Sequence, residues 1–464
     1  MAHPKLSRRA LLAGLGAGAV TLPTLMGARV NAADVSGYKA LVCVFLFGGI
    51  DTHELLIPFD QPNHDIYTDI RQGIAPDGSR TQSALLALNP TNGAAFGSRA
   101  FALPPEMAGV KSLFDQGKAS VVANVGPLIR PVTRAAYRNR SADLPPRLFS
   151  HNDQQAVWQA NAPEGAQLGW GGLFADAVLS SGANPGGEAF TSISMASDNL
   201  FLTGLNSRAY SLRNSRPEEV RLYRDASRRR DRSDEAAALY DRFQRHFSAS
   251  DYNGNSLIAR DVANVMSSSL VNNATLQEAL ASPPALGVTF PDTRLGRQLQ
   301  TIAETIQVRS RLGVGRQIFF AAMGGFDTHS SQAQSLPGRL TQIDQAISAF
   351  QAAMEYAGDE RNVTLFTASD FGRTFAVNGD GTDHGWGSHH IVVGDALAGG
   401  QIVGNPPAPG FDHEWDAGSG RLIPQIAVDQ YAASLGEWFG LGPAELEAAL
   451  PNLRNFDPLP SLFA

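Results

Sequence analysis

The stretch QIFFAAMGGFDTH, residues 317–329, decides how the rest of the chain is read. It begins as an unbroken apolar run and stops abruptly at Gly324-Gly325, Asp327 and His329. A strand covered by helices on both faces of a parallel sheet reads as continuous apolar sequence rather than as an alternation. Polar side chains then collect at its carboxyl end. LFTASDFGRT (365–374) has the same form, and GTDHGWGSHH (381–390) follows it closely. Four of the ten histidines fall between 317 and 390: His329, His384, His389 and His390. Asp327, Asp370, Asp380 and Asp383 fall there too. The pattern predicts several of these carboxylates and imidazoles in one pocket at a sheet edge.

Working outward, YKALVCVFLF (38–47) is a further apolar run, closed by Gly48-Gly49-Ile50-Asp51. It predicts a first buried strand with Asp51 at its end. Asp is also common as a turn cap, and that alternative stays open. The sequence GGIDTH at 48–53 echoes GGFDTH at 324–329, which favours a strand-end carboxylate. KASVVANV (118–125) reads as a second buried strand and FTSISMA (190–196) as another. Residues 105–116 and 295–311 have helical spacing. Strands separated by long helical excursions suit a parallel sheet with crossovers. Residues 207–250 are strongly charged and in part helical in pattern, residues 251–278 continue the helical pattern, and the segment around 205–285 is the best candidate for a peripheral insert.

At 43% hydrophobic and 17% charged, the 464-residue chain can fill a large core. The formal charge of −7, without a long basic block, argues against nucleic acid as a partner. Ser7-Arg8-Arg9 precedes an uncharged stretch over 10–28 and then Arg29-Val30-Asn31-Ala32. This resembles a twin-arginine export signal over residues 1–32, cleaved near Ala32. Five glycines and prolines between Gly14 and Gly27 argue against a stable spanning helix there, so no membrane span is expected in the mature chain. Loss of Lys5, Arg8, Arg9 and Arg29 would take the charge from −7 to −11. The lone Cys43 excludes an intrachain disulfide and packs as a small apolar residue.

In an extended strand, residues i and i+2 share a face, so Asp327 and His329 can reach one ion. Asp370 ends the next apolar run, and His384 lies in a glycine-rich loop. Carboxylates with neutral imidazoles suit zinc, manganese or iron. The other possibility is a structural polar network. His389 and His390 open an apolar run, so at least one packs inward. Ser150, in LFSHNDQQ (148–155), reads as the N-cap of a helix with Asp153 three residues on. A helix N-terminus can also stabilise an alkoxide. Arg130, Arg134, Arg138, Arg140 and Arg147 form either a solvated, locally paired loop or an attraction for anions.

FLFGGID, LFSHNDQQ, GGFDTH, SDFGRTF and TDHGWGSHH, with the export signal, resemble the bacterial secreted family DUF1501 over nearly the whole mature chain. The family's placement implies an α/β fold, a mostly parallel central sheet flanked by helices, alkaline phosphatase-like, with a metal site at the strand ends. By resemblance, Asp51 is a first-strand metal carboxylate and Ser150 a nucleophile at a helix start. Asp327 and His329 resemble one ligand pair, Asp370 the next carboxylate and His384 the late histidine. His389 is a further ligand or substrate contact, and Arg373 or an arginine of 130–147 would hold the anionic group. The metal is expected to be divalent, zinc or manganese. The usual Asp-His dipeptide is Asp370-Phe371 here, and the Cys/Ser-x-Pro-x-Arg signature of sulfatases is absent. Two functions follow as expectations: an exported metal-dependent hydrolase of small-molecule or polymer phosphate or related esters, or a secreted binding or surface-assembly protein that keeps the fold without turnover.

Overall fold

The computed structural model describes residues 33–75, 78–196, 200–212, 216–217, 221–247 and 257–464. The expected export signal over 1–32 lies outside the described residues. Among the described residues nine strands form the central sheet. In chain order they are β1 (Lys39–Phe47), β2 (Ala119–Gly126), β3 (Ser192–Ser194), β4 (Tyr210–Ser211), β5 (Arg316–Gly324), β6 (Val363–Ser369), β9 (Ser388–Val393), β10 (Ile402–Val403) and β11 (Ile426–Ala427). Between β6 and β9 a separate hairpin pairs β7 (Arg373–Asn378) with β8 (Gly381–His384). The order across the sheet is β10-β2-β9-β6-β1-β5-β3-β4, with β11 also on β2.

Every pairing in this sheet is parallel except those of β9, which runs antiparallel to both β2 and β6. The fold is therefore α/β with a mostly parallel sheet, as the apolar runs predict. Strand β1 lies between β5 and β6. In register Phe47 faces Gly324 and Leu46 faces Ser369, so the three strands release their chains side by side at one edge.

The two faces of β1 explain why its sequence does not alternate. Ala40, Val42, Val44 and Leu46 join one core, while Leu41, Cys43 and Phe45 join the other. The first core is closed by α7 (Arg294–Gln307), through Leu295, Leu299 and Ile302, and by α8 (Gln332–Ala357), through Leu340, Ile347 and Phe350. The second is closed by α3 (Trp170–Ser180), through Phe174 and Val178, and by α9 (Val428–Phe439), through Tyr431 and Leu435. Burying one such side chain fully contributes roughly 1.5–3 kcal/mol, so both faces need their helices. Helix α1 is Ala108–Asp115, and α2 is His151–Ala160. Over the expected insert the described helices are α4 (Arg221–Arg229), α5 (Asp234–Phe247) and α6 (Leu257–Ala279). Among the described residues no helix is long and apolar enough to cross a membrane.

Two local expectations change. The segment bearing His384 is a strand of the β7–β8 hairpin rather than a loop, because Gly381 to His384 pairs antiparallel with residues 373–378. His389 and His390 sit inside β9, within the sheet.

Candidate metal centre

Three chain segments meet above the carboxyl ends of β1, β5 and β6. The chain leaving β5 brings Asp327 and His329. The hairpin brings His384, paired with Arg373 across the two strands. The first residue of α2 brings His151. One ligand atom from each of His151, Asp327 and His384 lies within 4.8 Å of the others.

Each imidazole presents its Nε2 to Asp327 and turns its Nδ1 to an oxygen. His151 Nδ1 donates to Asp370 Oδ2 at 2.7 Å, and His384 Nδ1 donates to the Phe149 carbonyl at 2.7 Å. His329 Nδ1 faces Asp383 Oδ1 at 3.4 Å. On the inner side, His384 Nε2 is 3.2 Å and His329 Nε2 3.1 Å from Asp327 Oδ1. His151 Nε2 is 3.5 Å from Asp327 Oδ2. The two Nε2 atoms of His329 and His384 are 2.8 Å apart.

These contacts fix proton positions. Carboxylate and carbonyl oxygens accept, so in the neutral rings His151 and His384 carry their proton on Nδ1 and leave Nε2 bare. Among the described residues His151 Nε2 is buried and has no hydrogen-bond partner. An orphaned buried acceptor has a cost, and a cation among these Nε2 lone pairs removes it. Outer oxygens that orient a ligating imidazole are the usual support of a metal site. Three imidazoles and a carboxylate are a donor set for zinc or another borderline divalent ion, so the residues present fit such a group.

The electrostatics keep Asp327 charged. Burial pushes its carboxyl up, but the hydrogen bond and charge of Arg373 outweigh this and hold it below the usual range. Burial pushes His384 down, towards the neutral form that ligates. His151 is raised, first by its hydrogen bond to Asp370.

Other candidates fall elsewhere. Asp51 is buried and its oxygens are engaged: Oδ1 accepts from the His53 N–H, and Oδ2 from Arg71 and from Gln332 Nε2 at 2.6 Å. It caps the short helix Thr52–Leu55 and is not brought to the three-residue group. The echo between GGIDTH and GGFDTH thus yields one inward and one outward aspartate. Asp370 accepts the Gly48 N–H on Oδ1 and both His151 and Gln155 on Oδ2, so it supports the His151 ring and is not in the three-residue group. Arg373 has no exposed surface and donates to Asp327, the Gly48 carbonyl and both oxygens of Thr382, which places it behind the site. His389 accepts the Asn124 N–H on Nδ1, is buried in β9 and is not in the group. Ser150 is the N-cap of α2, and its Oγ donates to Asp153 Oδ2 at 2.9 Å.

His151 is the residue that sequence reading passed over. The signal was present: an imidazole in the first turn of the helix that Ser150 caps. Its partners are remote in sequence, and nothing local distinguishes it from an ordinary helical residue.

The family model described as "Protein of unknown function (DUF1501)" matches residues 38–419, and the chain belongs to that family. No curated protein matches it. Among solved structures, the crystal structure of Ps i-CgsB in complex with k-i-k-neocarrahexaose is similar at 9% identity and a TM-score of 0.34, covering 91% of this chain and 77% of that one. The PsFucS1 sulfatase from Pseudoalteromonas sp. is similar at 10% identity and a TM-score of 0.33, covering 87% of this chain and 68% of that one.

Proposed function

We propose that this DUF1501 family member is an exported metal-dependent hydrolase of phosphate or related esters. The observation that carries the reading is the convergence of bare imidazole Nε2 atoms on Asp327 at the edge of a parallel sheet. His151, Asp327 and His384 would hold a divalent ion, zinc or manganese, with His329 beside them. Such an ion, when bound, supplies Lewis acidity at the ester oxygen.

The chain's own groups supply the remaining parts. Ser150 stands at the N-terminus of α2, where the helix dipole favours a developing oxyanion. Asp153 already accepts its hydroxyl hydrogen and is placed to take the proton. With Arg373 turned inward, the anionic part of the substrate falls to the loop arginines. Arg130 pairs with Asp143, while Arg134 and Arg138 pair with Asp412. Arg147, 72% exposed, three residues before Ser150 and 3.7 Å from Asp153 Oδ1, is the best placed to meet a small-molecule or polymer ester.

Elemental analysis of the purified mature chain, with Asp327→Ala and His384→Ala beside it, tests the ligands. Near-stoichiometric metal should drop to background in both variants; unchanged content would sink the assignment. A screen of phosphate and sulfate esters with added zinc or manganese should then find turnover that Ser150→Ala abolishes at unchanged metal content. The inward commitment of Arg373 favours a second reading, a secreted binding protein that retains the site without turnover. Bound metal with no hydrolysis in that screen would select it. Export by the twin-arginine machinery predicts periplasmic or secreted protein, and Arg8→Lys with Arg9→Lys should leave the precursor in the cytoplasmic fraction.

A further inference from the structure

The loop that presents Ser150 and His151 and the hairpin that presents His384 are joined by a closed ring of three contacts. His384 Nδ1 donates to the Phe149 carbonyl at 2.7 Å. Arg421 Nε donates to the His384 carbonyl at 2.7 Å. The Arg421 guanidinium lies 5.3 Å over the Phe149 ring. A further donor of Arg421 is tied to the Gly418 carbonyl at 3.2 Å, which anchors the arginine to its own loop.

The ring holds an unfavoured backbone. Phe149 has φ of 73°, and Arg147 two residues earlier has φ of 49°. A bulky side chain in the left-handed region is held there by its surroundings. At Phe149 this turn aims the carbonyl at His384, and the aromatic face receives the cation. A planar guanidinium can lie over a ring face and at the same time donate along its edge in a pre-organised geometry.

We propose that Arg421 is a positioning residue of the metal centre, clamping the Ser150–His151 loop onto His384 and thereby fixing the Nδ1-protonated tautomer of His384. This rests on the metal-centre reading above. With the clamp closed, His384 Nε2 stays bare and directed at Asp327. With the clamp open, the Phe149 carbonyl is released, and His384 can place its proton on either nitrogen.

The test uses zinc alone as probe, titrated against a chromophoric chelator, in the mature chain and in Arg421→Ala and Arg421→Lys. Loss of a residue that orients a ligating imidazole predicts roughly ten- to hundredfold weaker zinc in Arg421→Ala. Arg421→Lys should recover little of this, because a compact ammonium lacks the planar fork that stacks on the ring and reaches both carbonyls together. The imidazole nitrogen shifts of His384, read by NMR in the metal-free protein, should show one Nδ1-protonated form in the unaltered chain and a mixture in both variants. A merely structural arginine would lower the unfolding temperature and leave the tautomer unchanged. The proposal is overturned if both variants hold zinc as tightly as the parent and keep the single tautomer. If the parent itself takes no zinc, the metal-centre reading fails on its own account. The tautomer comparison then decides the clamp, since it needs no metal.

Discussion

Two aspartates that look alike in sequence do different work at the scale of single residues. Asp370 has its oxygens taken by the Gly48 N–H, Gln155 and His151, so its effect on an ion passes through the His151 ring. Asp51 is buried against Arg71 and Gln332. Replacing each by Asn separates the roles. Asp370→Asn should weaken metal binding by roughly ten- to hundredfold, as loss of the group that orients a ligating imidazole does, with little change in unfolding midpoint. Asp51→Asn should keep the metal and lose stability on the order of 3 kcal/mol, because a buried arginine loses a charged partner. Chelator competition and denaturant unfolding on both variants check the pair. Equal effects in the two assays would reject the division.

Among the elements, the junction after β1 is the tightest point near the site. Gly48 has φ of +115°, and a Cβ there would lie 2.4 Å from the Asp327 backbone nitrogen. Backbone cannot move aside as a flexible side chain can. Gly48→Ala should therefore push the Asp327 segment out of place and cost about 2–4 kcal/mol from left-handed strain and overpacking together. Gly37 provides the comparison: its φ is +63° and nothing lies within 4 Å of a Cβ. Gly37→Ala should cost about 1 kcal/mol for the strain alone and leave metal content intact. Metal retained at full level in Gly48→Ala would show that the junction does not hold Asp327. The hairpin shows why sequence patterns fail at this scale. The strand β8, GTDH, carries only glycine and polar residues with no apolar alternation, so it reads as a loop. It becomes a strand only by pairing with residues 373–378.

For the molecule as a whole, burial of neutral histidines sets the response to acid. His389 and His390 are both pushed down to about 3 by desolvation, from an ordinary 6.5. Their folded values lie below the unfolded one, so between the two the unfolded chain binds more protons. The stability they preserve is fully present above pH 6.5 and is lost as pH falls towards 3. The loss is on the order of 5 kcal/mol for each at the acid end. Denaturant midpoints should decline steadily from pH 7 to 4. His390→Gln should flatten that decline, since the new side chain does not titrate in this range. An unchanged slope in the variant would assign the acid lability to other groups. His390 accepts no replacement lightly, being placed between Trp158 and Tyr431 and bonded to Ser388 Oγ at 2.7 Å.

The sequence by itself determined the sheet. Runs such as 38–47 and 317–324 are apolar at successive positions, and only a strand buried on both faces uses both sets. It also determined where polar groups would gather, since a buried strand can release Asp327 or Asp370 only at its end. Tertiary structure alone decided which of them meet. His151 and Asp327 are brought together by a fold, not by a spacing, and no local pattern records that approach. The same holds for the direction of β9, the inward turn of Asp51 and the burial of Arg373. Each depends on what lies across the gap, and a carboxylate beside an arginine is spelled the same way as a carboxylate awaiting an ion.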